Sequence, residues 1–399
     1  MIIEPKVRGF ICTTAHPEGC AQNVREQIDF VRAQTKLKGP KNVLIIGCST
    51  GYGLASRIAA SYGANAATLG VMFEKPTSGK RTASAGWYNT AAFETFTAAD
   101  GIYAKTINGD AFSNTIKEQT IATLKEDFKD GIDLVIYSLA APKRTNSKTG
   151  ITHSSVLKTT GKPHTEKNLN VMTGEINEIT VEPANQEEID DTIKVMGGED
   201  WELWTDALLA ANVLAKGALT VAYSYVGPEL TYPIYREGTI GAAKKHLEAT
   251  VDNLNKKLAV IAGKAFISVN KCVVTQASSA IPIVPLYVAI LYKVMKTKGN
   301  HEGCIEQIYR LFAGLYNEQP LTLDDNGFIR IDDWELAENV QAEVKEIWQQ
   351  IDSSNVETIS DLKGYRKEFY RLFGFDLANV DYQNDIDPER TIASLSESV

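Results

Sequence analysis

Short apolar runs recur along this chain, each closed by glycine or polar residues and followed by a stretch whose apolar positions return every three or four. The runs at 42–47 (NVLIIG), 67–73 (ATLGVMF), 103–109 (YAKTING), 133–140 (DLVIYSLA), 219–227 (LTVAYSYVG) and 265–270 (AFISVN) read as strands. The stretches 51–62, 113–128, 199–215, 239–262 and 277–298 read as helices. Strands that are apolar on both faces and alternate with helices form a parallel sheet covered on both sides. The pattern predicts an α/β fold, a doubly wound parallel sheet with helices on both faces.

Two segments break the alternation. Residues 143–185 are polar with short alternating pieces and read as an inserted hairpin or lid. After about residue 318 a hairpin signal (LTLDDNGFIRID, Asn326-Gly327 at the turn) precedes further helices, and 385–399 reads as a polar tail. With no linker and no repeat, the expected organisation is one domain over 1–399, carrying a 143–185 insertion and a 318–399 C-terminal extension.

Charge narrows the partners. A net charge of −9 argues against a broad nucleic-acid surface. The most apolar segment, 281–295 (IPIVPLYVAILYKVM), contains two prolines and is shorter than the ~18 residues of a membrane span. The start, MIIEPKVRGF, has no basic-then-apolar leader pattern. Five scattered cysteines without a CxxC pair fit a reducing cytoplasm. The five histidines lack ligand spacing, so no metal is expected.

The first strand runs into GCSTGYGLASR (47–57), with Gly47, Gly51 and Gly53 in a G-x3-G-x-G frame. A strand that turns sharply into a helix beside a pyrophosphate has no room for Cβ atoms, and the helix start presents free N–H groups to the anion. Ser49 and Thr50 add hydroxyls. Glu74, at the end of the second strand, follows Gly53 by 21 positions, the place of a carboxylate that binds ribose hydroxyls. It would repel a 2′-phosphate and so favours NADH over NADPH, although Lys75 is adjacent. The ends of the third and fourth strands, at Asp110-Ala111 and Leu139-Ala140, border the same crevice. Together these features make the sheet Rossmann-like and point to a dinucleotide.

YREGTIGAAKK (235–245) holds the candidate chemistry. Nine positions on an ideal helix turn through about 900°, which would put Tyr235 and Lys244 on opposite faces. Gly238 and Gly241 disfavour helix, and Thr239 suits an N-cap, so Tyr235 can lie ahead of a helix that carries Lys244 in its second turn. A tyrosine hydroxyl on a carbonyl oxygen stabilises an enolate, and a nearby ammonium lowers its pKa. The competing reading is a solvent-facing Lys244-Lys245 pair beside a half-buried tyrosine, and Lys245 stays open as the partner. Tyr225, at the end of the fifth strand, reads equally as a substrate contact or a core aromatic.

The chain resembles the trans-2-enoyl-CoA reductases and the FabV-type enoyl-acyl-carrier-protein reductases over nearly its whole length. The resemblance rests on VRGFICTTAHPEGC (7–20), GCSTGYGLASR (47–57), SAGWYN (84–89), NGDAFS (108–113), YSLAAP (137–142), VMGGEDW (195–201), YREGTIGAAKK (235–245), VVTQASSAIP (273–282) and HEGCIEQ (301–307). It implies an enlarged short-chain dehydrogenase/reductase with a tyrosine-x8-lysine pair, acting on enoyl groups carried by coenzyme A or acyl carrier protein with NADH. Tyr235 would be the proton donor, Lys244 a cofactor ligand and Tyr225 a substrate contact. Gly47, Cys48, Ser49, Thr50, Gly51, Tyr52, Phe73, Glu74, Asp110, Ala111, Leu139, Ala140, Val273, Val274 and Thr275 would line the cofactor. Cys48 departs from the alanine expected there. The resemblance further implies a monomer. An SDR-type 3-ketoacyl reductase and an inactive dinucleotide-binding protein are the rival expectations. Lys143, Arg144 and Lys148 read as a solvated loop, with coenzyme A phosphates as the alternative partner.

Overall fold

The computed structural model of the chain describes residues 1–9, 11–318 and 321–396. Its centre is a seven-stranded parallel sheet. In chain order the strands are β1 (Asn42–Ile46), β2 (Ala67–Met72), β3 (Ala104–Asn108), β4 (Ile132–Tyr137), β5 (Leu214–Ser224), β6 (Lys264–Val269) and β7 (Ile329–Arg330). In space they run β7-β6-β5-β4-β1-β2-β3. The order reverses between β1 and β4, so a crevice opens beyond their carboxyl ends.

The unbroken apolar strands follow from two covered faces. Along β1, Val43 and Ile45 pack into one buried cluster while Leu44 and Ile46 pack into the opposite one. Helices α1 (Pro17–Arg32), α2 (Gly51–Ile58), α3 (Ala85–Ala99) and α9 (Cys304–Tyr316) feed the first cluster. Helices α4 (Asn114–Asp127), α6 (Glu199–Ala210) and α7 (Thr239–Leu258) feed the second, where Trp201 and Trp204 are wholly buried. A third cluster surrounds α8 (Val284–Lys298), which α10 (Glu338–Gln350) and α11 (Leu362–Arg371) cover. A helix apolar on all sides needs such a jacket. Segment 143–185 makes two antiparallel hairpins, 143–145 with 152–154 and 164–169 with 176–181, followed by α5 (Gln186–Met196). Lys167 of the second hairpin donates from Nζ to the Trp348 and Ile351 carbonyls (2.9 and 3.0 Å), tying it to α10.

Several expectations are corrected. The 277–298 helix is divided: a 3-10 turn (Ser278–Ala280) stops before Pro282, Ile283 takes φ 71°, and α8 then begins with Pro285 in its first turn. Proline disfavours helix in the residue before it, which explains the break. The 199–215 helix ends at Ala210, and Leu214 already belongs to β5. The Asn326-Gly327 turn exists, but Ile329–Arg330 leave it to join β6 in parallel as a seventh strand. Residues 387–396 are no free tail: Ile392 is buried, and the Ser394 hydroxyl donates to Glu94 Oε1 (2.7 Å). Residues 397–399 lie outside the described residues. Among the described residues, no helix is long and apolar enough to cross a membrane.

Candidate active site

Steric demand shapes the turn between β1 and α2. A Cβ on Gly47 (φ 88°) would sit 2.1 Å from the Ser138 carbonyl oxygen, and one on Gly53 1.8 Å from that of Gly47. On Gly51 (φ 53°) it would meet only Thr275 Cγ2, at 3.8 Å. Gly47 and Gly53 therefore serve close backbone packing, while Gly51 borders open space with Thr275 opposite. The Gly47 and Cys48 amides donate to the Val71 carbonyl (2.9 and 3.1 Å) and are not free for a ligand. No side chain caps α2 at Thr50, so its first-turn N–H groups stay open to an anion. The Cys48 side chain turns inward beside Arg57, where burial pushes its thiol up to about 11. The departure from alanine lies on the protein side of the turn. Tyr52 also points inward, its hydroxyl donating to the Lys271 carbonyl (2.5 Å).

Glu74 is framed from all sides. Its Oε1 accepts from the Ser49 hydroxyl (2.6 Å) and lies over Gly86, where a Cβ would stand 2.1 Å away. Its backbone is clamped by Asn108, whose Oδ1 accepts from the Glu74 N–H (2.8 Å) and whose Nδ2 donates to the Glu74 carbonyl (3.0 Å). Asn89 Nδ2 holds the Ser49 carbonyl (3.1 Å). Reading the sequence passed over Gly86, Asn89 and Asn108, although all three lie in motifs that carried the resemblance. Phe73 is 77% exposed beside Glu74. Ala111 is buried, and its carbonyl accepts from Lys117 Nζ and Trp204 Nε1. Asp110 accepts from the Phe112 N–H, Leu139 sits against Gly47, and Ala140 is exposed at the strand exit.

Across the crevice, β5 ends at Ser224 and Tyr225 is the next residue out. Its ring meets that of Tyr235 edge-on, with centroids 4.8 Å apart. Tyr235 lies in the loop before α7, which starts at Thr239. A Cβ on Gly241 would sit 2.1 Å from the Arg236 carbonyl oxygen and 2.4 Å from that of Tyr235, so glycine lets this loop fold down on the first turn. The cap is Gly238 and not Thr239, whose hydroxyl donates instead to the Val156 carbonyl. Lys244 reaches the sheet, its Nζ donating to the Tyr223 carbonyl (2.9 Å), while Lys245 is exposed. Burial lowers the Lys244 ammonium to about 8 despite Glu248 nearby. The expected lowering of the Tyr235 phenol by an ammonium is corrected: burial raises it, with Cys272 and then Glu248 adding to it. One carboxylate thus neighbours both groups. Val273 and Val274 are buried, and Thr275 is half-buried with its N–H on Ser278 Oγ (2.9 Å).

Arg144 corrects another expectation. It is buried, its Nη1 donating to Glu199 Oε2 (2.8 Å) and the Lys194 carbonyl (2.7 Å), so it is not a solvated loop residue.

Residues 81–316 match the family model for the trans-2-enoyl-CoA reductase catalytic region. The chain belongs to the trans-2-enoyl-CoA reductase family. A model of the NAD(P)H binding domain of these reductases matches residues 2–79, which include the glycine turn and Glu74. Among reductases of this kind, the enoyl-(acyl-carrier-protein) reductase (NADH) of Coxiella burnetii is 57% identical over 399 residues, covering 99% of this chain and 98% of the relative. The trans-2-enoyl-CoA reductase (NADH) of Clostridium perfringens is 58% identical over 387 residues, covering 97% and 99%. The crystal structure of Treponema denticola trans-2-enoyl-CoA reductase in complex with NAD superimposes with a TM-score of 0.93 at 49% identity, covering 98% of this chain and 99% of that one.

A third family model, described as an enoyl reductase FAD binding domain, matches residues 323–386. The residues there do not fit a flavin. Their one strand, β7, runs into Asp332 and Asp333, carboxylates where a pyrophosphate needs N–H groups or cations. Arg330 is committed to Asp332 (2.6 Å) and Arg366 to Glu357 (2.7 Å) and the Val171 carbonyl (2.6 Å). Val340, Val344, Trp348, Tyr365 and Phe369 fill the third cluster.

Proposed function

We propose that this chain is an NADH-dependent enoyl thioester reductase that saturates the C2=C3 bond of trans-2-enoyl groups carried on coenzyme A or acyl carrier protein. The observation that carries this reading is the contact of Tyr235 with Tyr225 just past β5, the strand whose Tyr223 carbonyl holds the Lys244 ammonium, at the crevice that the glycine turn opens. The open amides of α2 would hold the pyrophosphate and Glu74 the adenosine ribose. Phe73, Asp110 and Ala111 would flank the adenine. Leu139, Ala140, Lys244 and the stretch Val273, Val274 and Thr275 would border the nicotinamide end. NADH, when bound, supplies the hydride.

The chain's own residues handle charge and proton. Saturating a conjugated thioester gathers negative charge on the carbonyl oxygen, and a donor aimed there lowers the barrier. Burial keeps the Tyr235 hydroxyl protonated, so at neutral pH it is that donor and the source of the proton. Tyr225 lines the substrate side and fixes the Tyr235 ring by its edge. Lys244, anchored on the Tyr223 carbonyl, supplies a cation for the cofactor. We take the chain to work as one reductase domain, with the 143–185 hairpins as its lid and 318–399 as its C-terminal extension. We also take it to be a cytoplasmic monomer, a setting that suits its five free cysteines.

The test is NADH oxidation by the purified chain with crotonyl-CoA. Turnover with NADH well ahead of NADPH is expected. Consumption with acetoacetyl-CoA alone would make the enzyme a ketone reductase, and none with any enoyl thioester would end the proposal.

A further inference from the structure

Glu335 stands just past β7, inside the segment named for a flavin, and is completely buried. Its Oε1 accepts from two phenols, Tyr225 (3.0 Å) and Tyr287 (2.6 Å). Its Oε2 accepts from the Cys272 N–H (2.7 Å). Gln341 Nε2 closes the ring, donating to the Glu335 carbonyl (2.6 Å) and to the Tyr287 oxygen (3.1 Å). The buried Lys271 ammonium donates to the Cys272 and Glu302 carbonyls (2.9 and 3.2 Å), leaving the carboxylate to the phenols and one amide. Burial raises the Glu335 carboxyl above its ordinary range, opposed chiefly by Lys271. A carboxyl kept here at such cost needs its donors.

Of those donors, Tyr225 is the one whose ring meets Tyr235. Tyr225 is held at two points: its ring meets that of Tyr235 edge-on, with centroids 4.8 Å apart, and its hydroxyl donates to Glu335, while Gly227 leaves room for the hydroxyl end. Gly227 has φ 72°, and a Cβ there would lie 2.8 Å from the Tyr225 hydroxyl oxygen. With its hydroxyl donating to the carboxylate, Tyr225 is the poorer donor to a substrate oxygen and Tyr235 the better one.

We propose that Glu335 is a positioning residue of the reductase: by accepting the Tyr225 hydroxyl it locks that phenol, and through it the ring of the proton donor Tyr235. This rests on the enoyl reductase reading above. The C-terminal segment then reaches the chemistry as a brace under the substrate tyrosines.

A double-mutant cycle on the full-length enzyme tests this with crotonyl-CoA. Glu335→Gln keeps shape but loses charge, and is expected to lower kcat about tenfold with the NADH Kd unchanged. In a Tyr225→Phe background the same change is expected to cost less than about twofold, because the link is already cut. Tyr287→Phe, which removes the other phenol from the same oxygen, is expected to keep kcat within about twofold. If Glu335→Gln does not fold, Glu335→Asp takes its place in the same cycle: a penalty that disappears in the Tyr225→Phe background supports the brace, and one that persists there overturns it. An undiminished Glu335→Gln penalty in the Tyr225→Phe background, or full kcat in Glu335→Gln, also overturns it. Failure of the unmodified enzyme to turn over any enoyl thioester would overturn the enoyl reductase reading, and this inference with it.

Discussion

On the cofactor side of the crevice, Gly47, Gly51 and Gly53 share a single turn, and Ser49 within it bonds directly to Glu74. On the substrate side, Tyr225 meets Glu335 across 110 positions of chain, with Tyr235 and Cys272 arriving from two further segments. The first half is dictated by backbone clearance, which any glycine spacing reveals. The second is a matter of which buried side chains tertiary packing brings together. A substitution on the cofactor side should therefore act at one place, whereas one on the substrate side should propagate through neighbours.

The largest effect should fall on the substrate side. Tyr235→Phe is expected to lower kcat about 100-fold or more while leaving the NADH Kd in place. Retained turnover would dissolve the distinction between the halves. Next comes Gly47→Ala, which forces a side chain into a left-handed backbone facing the Ser138 carbonyl. Strain of about 1–3 kcal/mol should weaken NADH roughly 10- to 100-fold by fluorescence titration, with crotonyl-CoA KM little changed. Glu74→Ala should raise NADPH use relative to NADH roughly tenfold, through loss of about 1–2 kcal/mol of repulsion, and leave both tyrosines unaffected.

The smallest effect belongs to Lys244, which serves both halves. Its ammonium loses its proton near pH 8, so NADH affinity should fall several-fold as pH rises through about 8, and Lys244→Met should flatten that profile. Stability runs the other way. The unfolded chain keeps this proton up to about 10.5, so between 8 and 10.5 it binds more protons than the folded one, and raising pH stabilises the fold. Thermal melts of Lys244→Met should lack that rise.

Six of the seven sheet strands and the glycine turn were legible because their signals are local: short β-rich runs closed by glycine or polar residues, and a strand-to-helix turn in which Gly47 and Gly53 leave no room for a Cβ. The seventh was hidden because β7 is two residues long, and Asn326-Gly327 announces only that the chain reverses. Arg144 read as solvated because KRTNSK is polar, yet its burial is decided by Glu199, 55 positions on. Glu335 gave no signal at all. An acid in DDWELAEN reads as a surface residue, and only the fold shows that two tyrosines and an amide close over it.

The chain's last described turn guards an edge. β3 is the outermost strand on its side of the sheet, and the Thr106 N–H donates to Ser394 Oγ (2.9 Å). Ser394 and Ile392 act there as a cover over a strand that is otherwise ready to recruit another chain. Proteolytic clipping after Arg390 would expose that template, so storage losses in this enzyme should begin as self-association of nicked molecules before any global melting.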